Sequence, residues 1–401
     1  MKDEFAFHRS TPRGEGGIAV FELHGQSSRQ ALTRIFRARS GHLPEAAQAR
    51  LGDFLDLAGE LIDEGLVTNV PPESAWSRLA TWALSLHGGP WIQEKAAEVL
   101  RALGGVELDL RGVLSRSVTE GGLDCIQAAA YEHLIAARTE KAASFFARQH
   151  AGELSGLIRE GLEALERGQL EASESLARRL LLHSHEAMRL AEPLRLLIAG
   201  PPNAGKSTLF NRLVEEERAV VSSIPGTTRD SLEETVALDD FPIVVSDSPG
   251  LRDPAKASEI ERLGIERALE RSDDAVLYLI PFPWIISTED RAFIRRWKAE
   301  SVVVVASQAD LSSGEPSPGL ELRFSARTGE GLERLKRAIV ERWISSGRAP
   351  QDDVPVAAFS PRLRSALERA RPASEESSIG RGAALDEHRK AYLECRDFSW
   401  P

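Results

Sequence analysis

The chain has 401 residues, 42% of them hydrophobic and 28% charged, with a formal net charge of −11. This describes a packed protein of roughly two or three domains and argues against a broad nucleic-acid-coating surface, although a local basic patch could still bind RNA. Its two cysteines, Cys125 and Cys395, lie far apart, which argues against a disulfide framework or a zinc site and fits a reducing cytoplasm.

The opening "MKDEFAFHRS" is charged and lacks an apolar core, so no signal peptide is read. No run of about 18 apolar residues follows, so no membrane span is expected. Residues 1–110 are mixed and read as an α+β domain. Within them "GGIAVFELHG" reads as a strand between turns, and "WIQEKAAEVLRALGG" as an amphipathic helix closed by glycine. From about Leu123 to Leu190 the composition turns to Ala, Leu, Glu and Arg with apolar residues three and four apart, the pattern of long packed helices, and residues 111–192 read as the first part of a helical domain. Pro193 ends that pattern. Apolar runs then come at "LRLLIAG", "IVVSD", "AVLYLI", "SVVVVAS" and "ELRFSA", separated mostly by helical stretches, which predicts a mainly parallel sheet flanked by helices over 193–347. Residues 348–401 return to helical character around a polar loop, "RPASEESSIGRG".

"GPPNAGKST" holds Gly200, Gly205, Lys206 and Ser207 at P-loop spacing, between a strand and a helix. Backbone N–H groups from Asn203, Ala204, Gly205 and onward to Thr208 would turn inward around phosphates, at a helix N-terminus. Lys206 would reach the β- and γ-phosphates and Ser207 would ligate magnesium. Asp247, ending the strand "IVVSD", suits a magnesium site, and Gly250 of "SDSPGL" could offer its N–H to the γ-phosphate. In "IPGTTRD", Thr228 is favoured over Thr227 as the hydroxyl that completes magnesium coordination.

The run "VVVVASQADL" ends in Ser307-Gln308-Ala309-Asp310 where GTP-binding proteins carry Asn-Lys-x-Asp. Guanine offers two neighbouring donors that a carboxylate can accept, and adenine does not, so Asp310 keeps the most discriminating element. The stem of Gln308 can cover a base face. Ser307 is shorter than Asn and stands to lose a contact, at a cost on the order of 1 kcal/mol. Ser325-Ala326, in "FSARTGEG", resembles the loop whose backbone N–H meets the guanine oxygen. The bland alternative is a strand end with a capping Asp.

In order, these motifs look like a small regulatory-type GTPase domain of the TrmE-Era-EngA-like kind. "GLRDPAKASEIERLGIERAL", "PNAGKSTLFNRL" and "IPGTTRD" resemble the tRNA modification GTPase family MnmE (TrmE), as do "PRGEGGIAVFELHG", "LHGGP" and "RSVTEGGLDCIQAAAYEHLIAARTEKAA" outside the GTPase domain. The resemblance implies an α/β P-loop GTPase domain inserted into a helical domain built from 111–192 and a shortened 348–401, and homodimers formed through the N-terminal domain. It also implies a potassium ion held partly by Asn203. Three stretches depart from the pattern. Cys395 is not followed by Gly-Lys, "SAWSRLATW" replaces an acidic segment before "LHGGP", and "LRGV" stands where a Glu-containing element precedes Arg116. These segments serve the family's folate binding and modification chemistry, so their replacement argues against both here.

Leu251 occupies the position where many GTPases place a water-orienting Gln. The substitutes are potassium at Asn203 and Glu261 of "EIERLG", which matches the family's water-orienting glutamate. The leading expectation is a GTP-binding and GTP-hydrolysing switch, dependent on magnesium and on potassium. The alternatives are a tRNA wobble-uridine modification enzyme and a nucleotide-binding scaffold with negligible turnover.

Overall fold

The computed structural model describes residues 5–216, 233–247, 275–311, 320, 322–347, 353–370 and 381–396. Thr227, Thr228, Gly250, Leu251 and Glu261 lie outside the described residues, as does most of "RPASEESSIGRG". The chain forms two compact units, one running to Ala128 and the other starting at Ala129.

The first unit holds β1 (Ala6–Arg9), β2 (Ile18–His24), α1 (Ser28–Ile35), β3 (Phe36–Ala38), β4 (Ala49–Leu55), β5 (Leu61–Val70), β6 (Thr81–His87), α2 (Pro90–Ala102), β7 (Val106–Leu108) and α3 (Leu110–Thr119). Its seven-stranded sheet runs β3-β4-β5-β6-β2-β1-β7, and β1–β7 is a parallel pair. The period-2 rule explains the core side: Ala19, Phe21 and Leu23 of β2 and Trp82, Leu84 and Leu86 of β6 are all buried. Against them lies α2, whose Gln93, Ala96, Ala97, Val99 and Leu100 form one buried stripe. Pro90 at its first turn needs no N–H there. Gln93 donates its amide to the carbonyls of Gly14 (2.7 Å) and Gly88 (3.0 Å), fixing the "LHGGP" turn.

The helix α4 (Cys125–Ile135) spans the boundary, followed by α5 (Glu140–Ala151), α6 (Glu153–Glu166), α7 (Leu170–Leu182) and α8 (Ser184–Ala191). The Thr139 hydroxyl caps α5 by accepting from the Ala142 N–H, and Gly152 closes it at φ 104°. Two later helices, α12 (Pro361–Arg369) and α13 (Arg381–Arg396), pack onto α6 and α7. Tyr392 of α13 is fully buried and donates its hydroxyl to the Ser173 carbonyl at 2.8 Å. Its ring lies where a Gly161 side chain would be: a Cβ there would come within 2.3 Å of Tyr392 Cε1. Gly161→Leu should therefore destabilise the second unit by about 1–3 kcal/mol through overpacking. Chemical denaturation checks this, and adding Tyr392→Ala should recover part of the loss.

Between those helical segments the chain builds β8 (Leu194–Ala199), α9 (Lys206–Glu216), β9 (Glu233–Leu238), β10 (Phe241–Asp247), β11 (Ala275–Ile280), α10 (Thr288–Ile294), β12 (Val302–Ala306) and α11 (Leu332–Trp343). The sheet order is β12-β11-β8-β10-β9, parallel except for the β9–β10 hairpin. All six residues of β11 are buried, as expected for a strand covered on both faces. Two of the structure's features differ from the sequence-based expectation. The hairpin strand β9 is an additional strand, closed by Asp239 and Asp240 at φ 47° and 60°. Among the described residues of "ELRFSA", Leu322–Ala326, the structure shows a parallel bridge, Ala306–Arg323, and no strand. The chain leaves the ladder there because Ser325 N–H turns to the Glu330 carbonyl (2.8 Å).

The helical segment grips the hairpin directly. Asp240 accepts from the Lys141 N–H at 2.5 Å, and the Lys141 ammonium donates to the Asp239 carbonyl at 2.7 Å. Arg138 donates to the Thr235 hydroxyl at 2.7 Å.

Candidate functional site

Strand β8 neighbours β11 on one side and β10 on the other, so the chain order reverses at its carboxyl end, where open α/β sheets bind ligands. The P-loop emerges at that point. Gly200 has φ 146°, and a Cβ on it would sit 2.5 Å from the Leu279 carbonyl oxygen, so only glycine lets the loop cross β11 this closely. Asn203 and Gly205 also have positive φ, 63° and 91°. Lys206 opens α9, is 2% exposed, and donates to the carbonyls of Gly200 (2.7 Å) and Pro201 (3.1 Å). Ser207 and Thr208 follow in the first turn of the helix.

Asp247 ends β10 in register with Ile198 of β8, which brings the backbone of the second motif beside the start of the P-loop. By residue type alone, Ser207 and Asp247 carry hard oxygen atoms of the kind magnesium takes. Among the described residues no group of three or more His, Cys, Asp and Glu side chains is placed to hold a metal ion.

The loop Ser307–Asp310 is hydrogen-bonded to the P-loop. Ser307 is 2% exposed and its hydroxyl donates to the Ala204 carbonyl at 2.8 Å. The Gln308 amide donates to the Asn203 carbonyl at 2.7 Å, with Gln308 itself at φ 60°. Both residues therefore brace the phosphate loop, a role their substitution pattern did not disclose. The Trp284 indole N–H donates to the Ser307 carbonyl at 2.7 Å and holds the strand end from behind.

Asp310 accepts from the Ser325 hydroxyl at 2.6 Å on one oxygen, and from Arg327 Nη2 (2.6 Å) and Nε (3.0 Å) on the other. The hydrogen bond from Ser325, then that from Arg327, hold its carboxyl below the usual range. Arg212 of α9 donates to the carbonyls of Ala326 (3.0 Å) and Arg327 (3.1 Å), anchoring this second loop. A cavity of about 320 Å³ opens between the loops, lined by Ala204, Gly205, Thr208, Asp310, Phe324 and Ala326 among others. Of the residues read from sequence as nucleotide-binding, Ala204, Gly205, Thr208, Ser307, Gln308, Asp310, Ser325 and Ala326 line this cavity. Arg327, Arg212 and Trp284 were not foreseen. The last two act through backbone carbonyls, which no motif records.

A P-loop at the switch point of a mainly parallel sheet, with an Asp-bearing loop beside it, defines an α/β P-loop GTPase. Residues 195–308 match the family model described as "50S ribosome-binding GTPase", and residues 6–115 the one described as "GTP-binding protein TrmE N-terminus". The chain is 34% identical over 384 residues to the tRNA modification GTPase MnmE of Paramagnetospirillum magneticum, covering 86% of this chain and 85% of that protein. It is 30% identical to the protein of that name from Chloroflexus aurantiacus, covering 94% and 90%, and 32% identical to that of Alkalilimnicola ehrlichii, covering 82% and 79%. The chain belongs to the tRNA modification GTPase MnmE family. It is a GTP-binding and GTP-hydrolysing switch protein, and GTPases of this class bind guanine nucleotide with magnesium. Among solved structures, the G domain of the T. maritima FeoB iron transporter aligns with 37% of this chain and 98% of its own at 25% identity and a TM-score of 0.29. Aquifex aeolicus Era aligns with 43% and 64% at 23% identity, also with a TM-score of 0.29. Among the described residues no helix is long and apolar enough to cross a membrane.

Proposed function

We propose that this chain cycles between GTP and GDP with potassium as well as magnesium, and that the cycle moves its helical segment. The bracing of the P-loop by Ser307 and Gln308 is the observation that carries the reading, because it joins phosphate and base recognition in one site. In this reading Asn203, Ala204, Gly205, Lys206, Ser207 and Thr208 surround the phosphates, with Gly250 contributing at the γ-position. Asp310, Ser307, Gln308, Ser325 and Ala326 hold the base. Ser207, Asp247 and Thr228 would hold magnesium, which would supply charge to neutralise the phosphates. Asn203 would help hold potassium, and Glu261 would orient the attacking water. The Lys141 and Arg138 contacts on the hairpin, which joins the segment holding Thr228 to Asp247, support movement passing into α5.

Potassium should accelerate GTP hydrolysis where sodium does not, and should raise the mass of the particle when a transition-state mimic pairs two GTPase domains. Phosphate release and light scattering read both effects. Equal rates in the two salts, with unchanged mass, would remove potassium from the scheme.

Modification chemistry is not part of the leading proposal. Cys395 is fully buried in α13, burial pushes its thiol up to about 12, and its sulfur lies 3.9 Å from the Leu363 carbonyl. Such a thiol packs rather than reacts. The second reading is a tRNA wobble-uridine modification enzyme working as a homodimer, with folate in the N-terminal unit. The relatives' name and the match over residues 6–115 favour it. Expression in cells lacking the modification enzyme separates the two: we expect no modified wobble uridine by mass spectrometry, and its restoration would promote the second reading. A cytoplasmic location belongs to the proposal too, since Cys125 and Cys395 form no disulfide.

A further inference from the structure

We propose that Arg327 competes with the guanine ring for Asp310, and so sets both the affinity for guanine nucleotides and the preference for them over adenine nucleotides. The proposal rests on the reading of Asp310 as the base-selecting carboxylate.

The chemistry of the two competitors is alike. Guanine presents its ring N1–H and exocyclic amine side by side on one carbon, a guanidine-type donor edge. The arginine head group is the same unit, and two of its N–H groups already converge on one Asp310 oxygen, at 2.6 and 3.0 Å. The other oxygen accepts from Ser325 at 2.6 Å. Asp310 is sunk in the site with 11% of its side chain exposed, while the Arg327 side chain is 75% exposed. The two planar donors would occupy one in-plane position, so guanine can reach the carboxylate only when the arginine swings outward.

The loop is built to allow that exchange. Arg212 holds the backbone carbonyls of Ala326 and Arg327, and the Ser325 hydroxyl accepts the Thr328 N–H at 3.2 Å. The main chain therefore stays in place while the long side chain moves. An ion pair with one partner this exposed is weak, which makes Arg327 a displaceable competitor and not a block. Adenine offers no donor pair to Asp310, so an adenine nucleotide gains nothing when Arg327 leaves.

Calorimetric titration of the wild-type chain, Arg327→Ala and Arg327→Met with GTP and with ATP tests this. Both variants should bind GTP about two- to fivefold more tightly than wild type, the size of an exposed ion pair. ATP affinity should not change, so the GTP:ATP ratio rises, and the gain should shrink at high salt. Unchanged or weaker GTP binding in the variants would overturn the proposal, as would an equal gain for both nucleotides. Asp310→Asn is the control. If it leaves wild-type GTP affinity unaltered, the base-loop reading itself has failed; if it weakens GTP binding while the Arg327 variants behave as wild type, only the competition has failed.

Discussion

Lys206→Ala should abolish tight GTP binding while the chain keeps its fold. Lys206 is nearly enclosed, and its ammonium donates to the carbonyls of Gly200 and Pro201 in the P-loop. A hydrogen bond to a charged group contributes about 1.5–3 kcal/mol, so losing contacts to two phosphates should weaken binding by roughly 10²-fold or more. The fold should survive because the loop has other supports, in Ser307, Gln308 and the tight crossing of Gly200 over β11. Calorimetry against circular dichroism separates the two outcomes. GTP affinity equal to wild type would sink the phosphate-site assignment.

The second large effect is expected at Asp310. Asp310→Asn should weaken GTP binding on the order of 10²-fold and improve the relative affinity for xanthosine triphosphate, whose added carbonyl can accept from the new amide. Ser325 is a neutral hydroxyl and can still bond the asparagine oxygen, so the local fold is kept. The ion pair with the already exposed Arg327 side chain is lost. Competition titration with the three nucleotides reads the switch. A variant that keeps its GTP affinity would mean that Asp310 merely caps the strand end.

The parts of this architecture that were legible in the sequence are those written locally. The P-loop is contiguous, and its glycine spacing, preceding strand and following helix stand within a single stretch from Leu194 to Glu216. The strands β8, β10, β11 and β12 announce themselves as continuous apolar runs, the pattern of a parallel sheet; β11 is buried throughout, while Val302–Val304 of β12, at the end of the sheet order, are half-buried. Strand β9 was missed because "EETVAL" is half polar; among the described residues it stands at the edge of the sheet, beside β10. The N-terminal sheet could not be ordered from sequence, since β1 pairs with β7 about a hundred residues on, through registers such as Phe7–Glu107. Ser307 and Gln308 looked like weakened base contacts. Their bonds to Ala204 and Asn203 join positions whose separation no motif spans. Arg327 was overlooked because its neighbours Ser325 and Ala326 carry the recognisable pattern.

The central claim is that a base loop reading Ser-Gln-Ala-Asp still selects guanine in a working GTPase. The measurement that tests it most directly is kcat/KM for phosphate release from GTP and from ATP, taken on the same wild-type preparation with magnesium and potassium. The expected result is turnover of GTP with ATP slower by about 10²-fold or more, as a site that hydrogen-bonds one ring's donors rejects a ring lacking them. Equal kcat/KM for the two nucleotides, or no release from GTP at all, would contradict it.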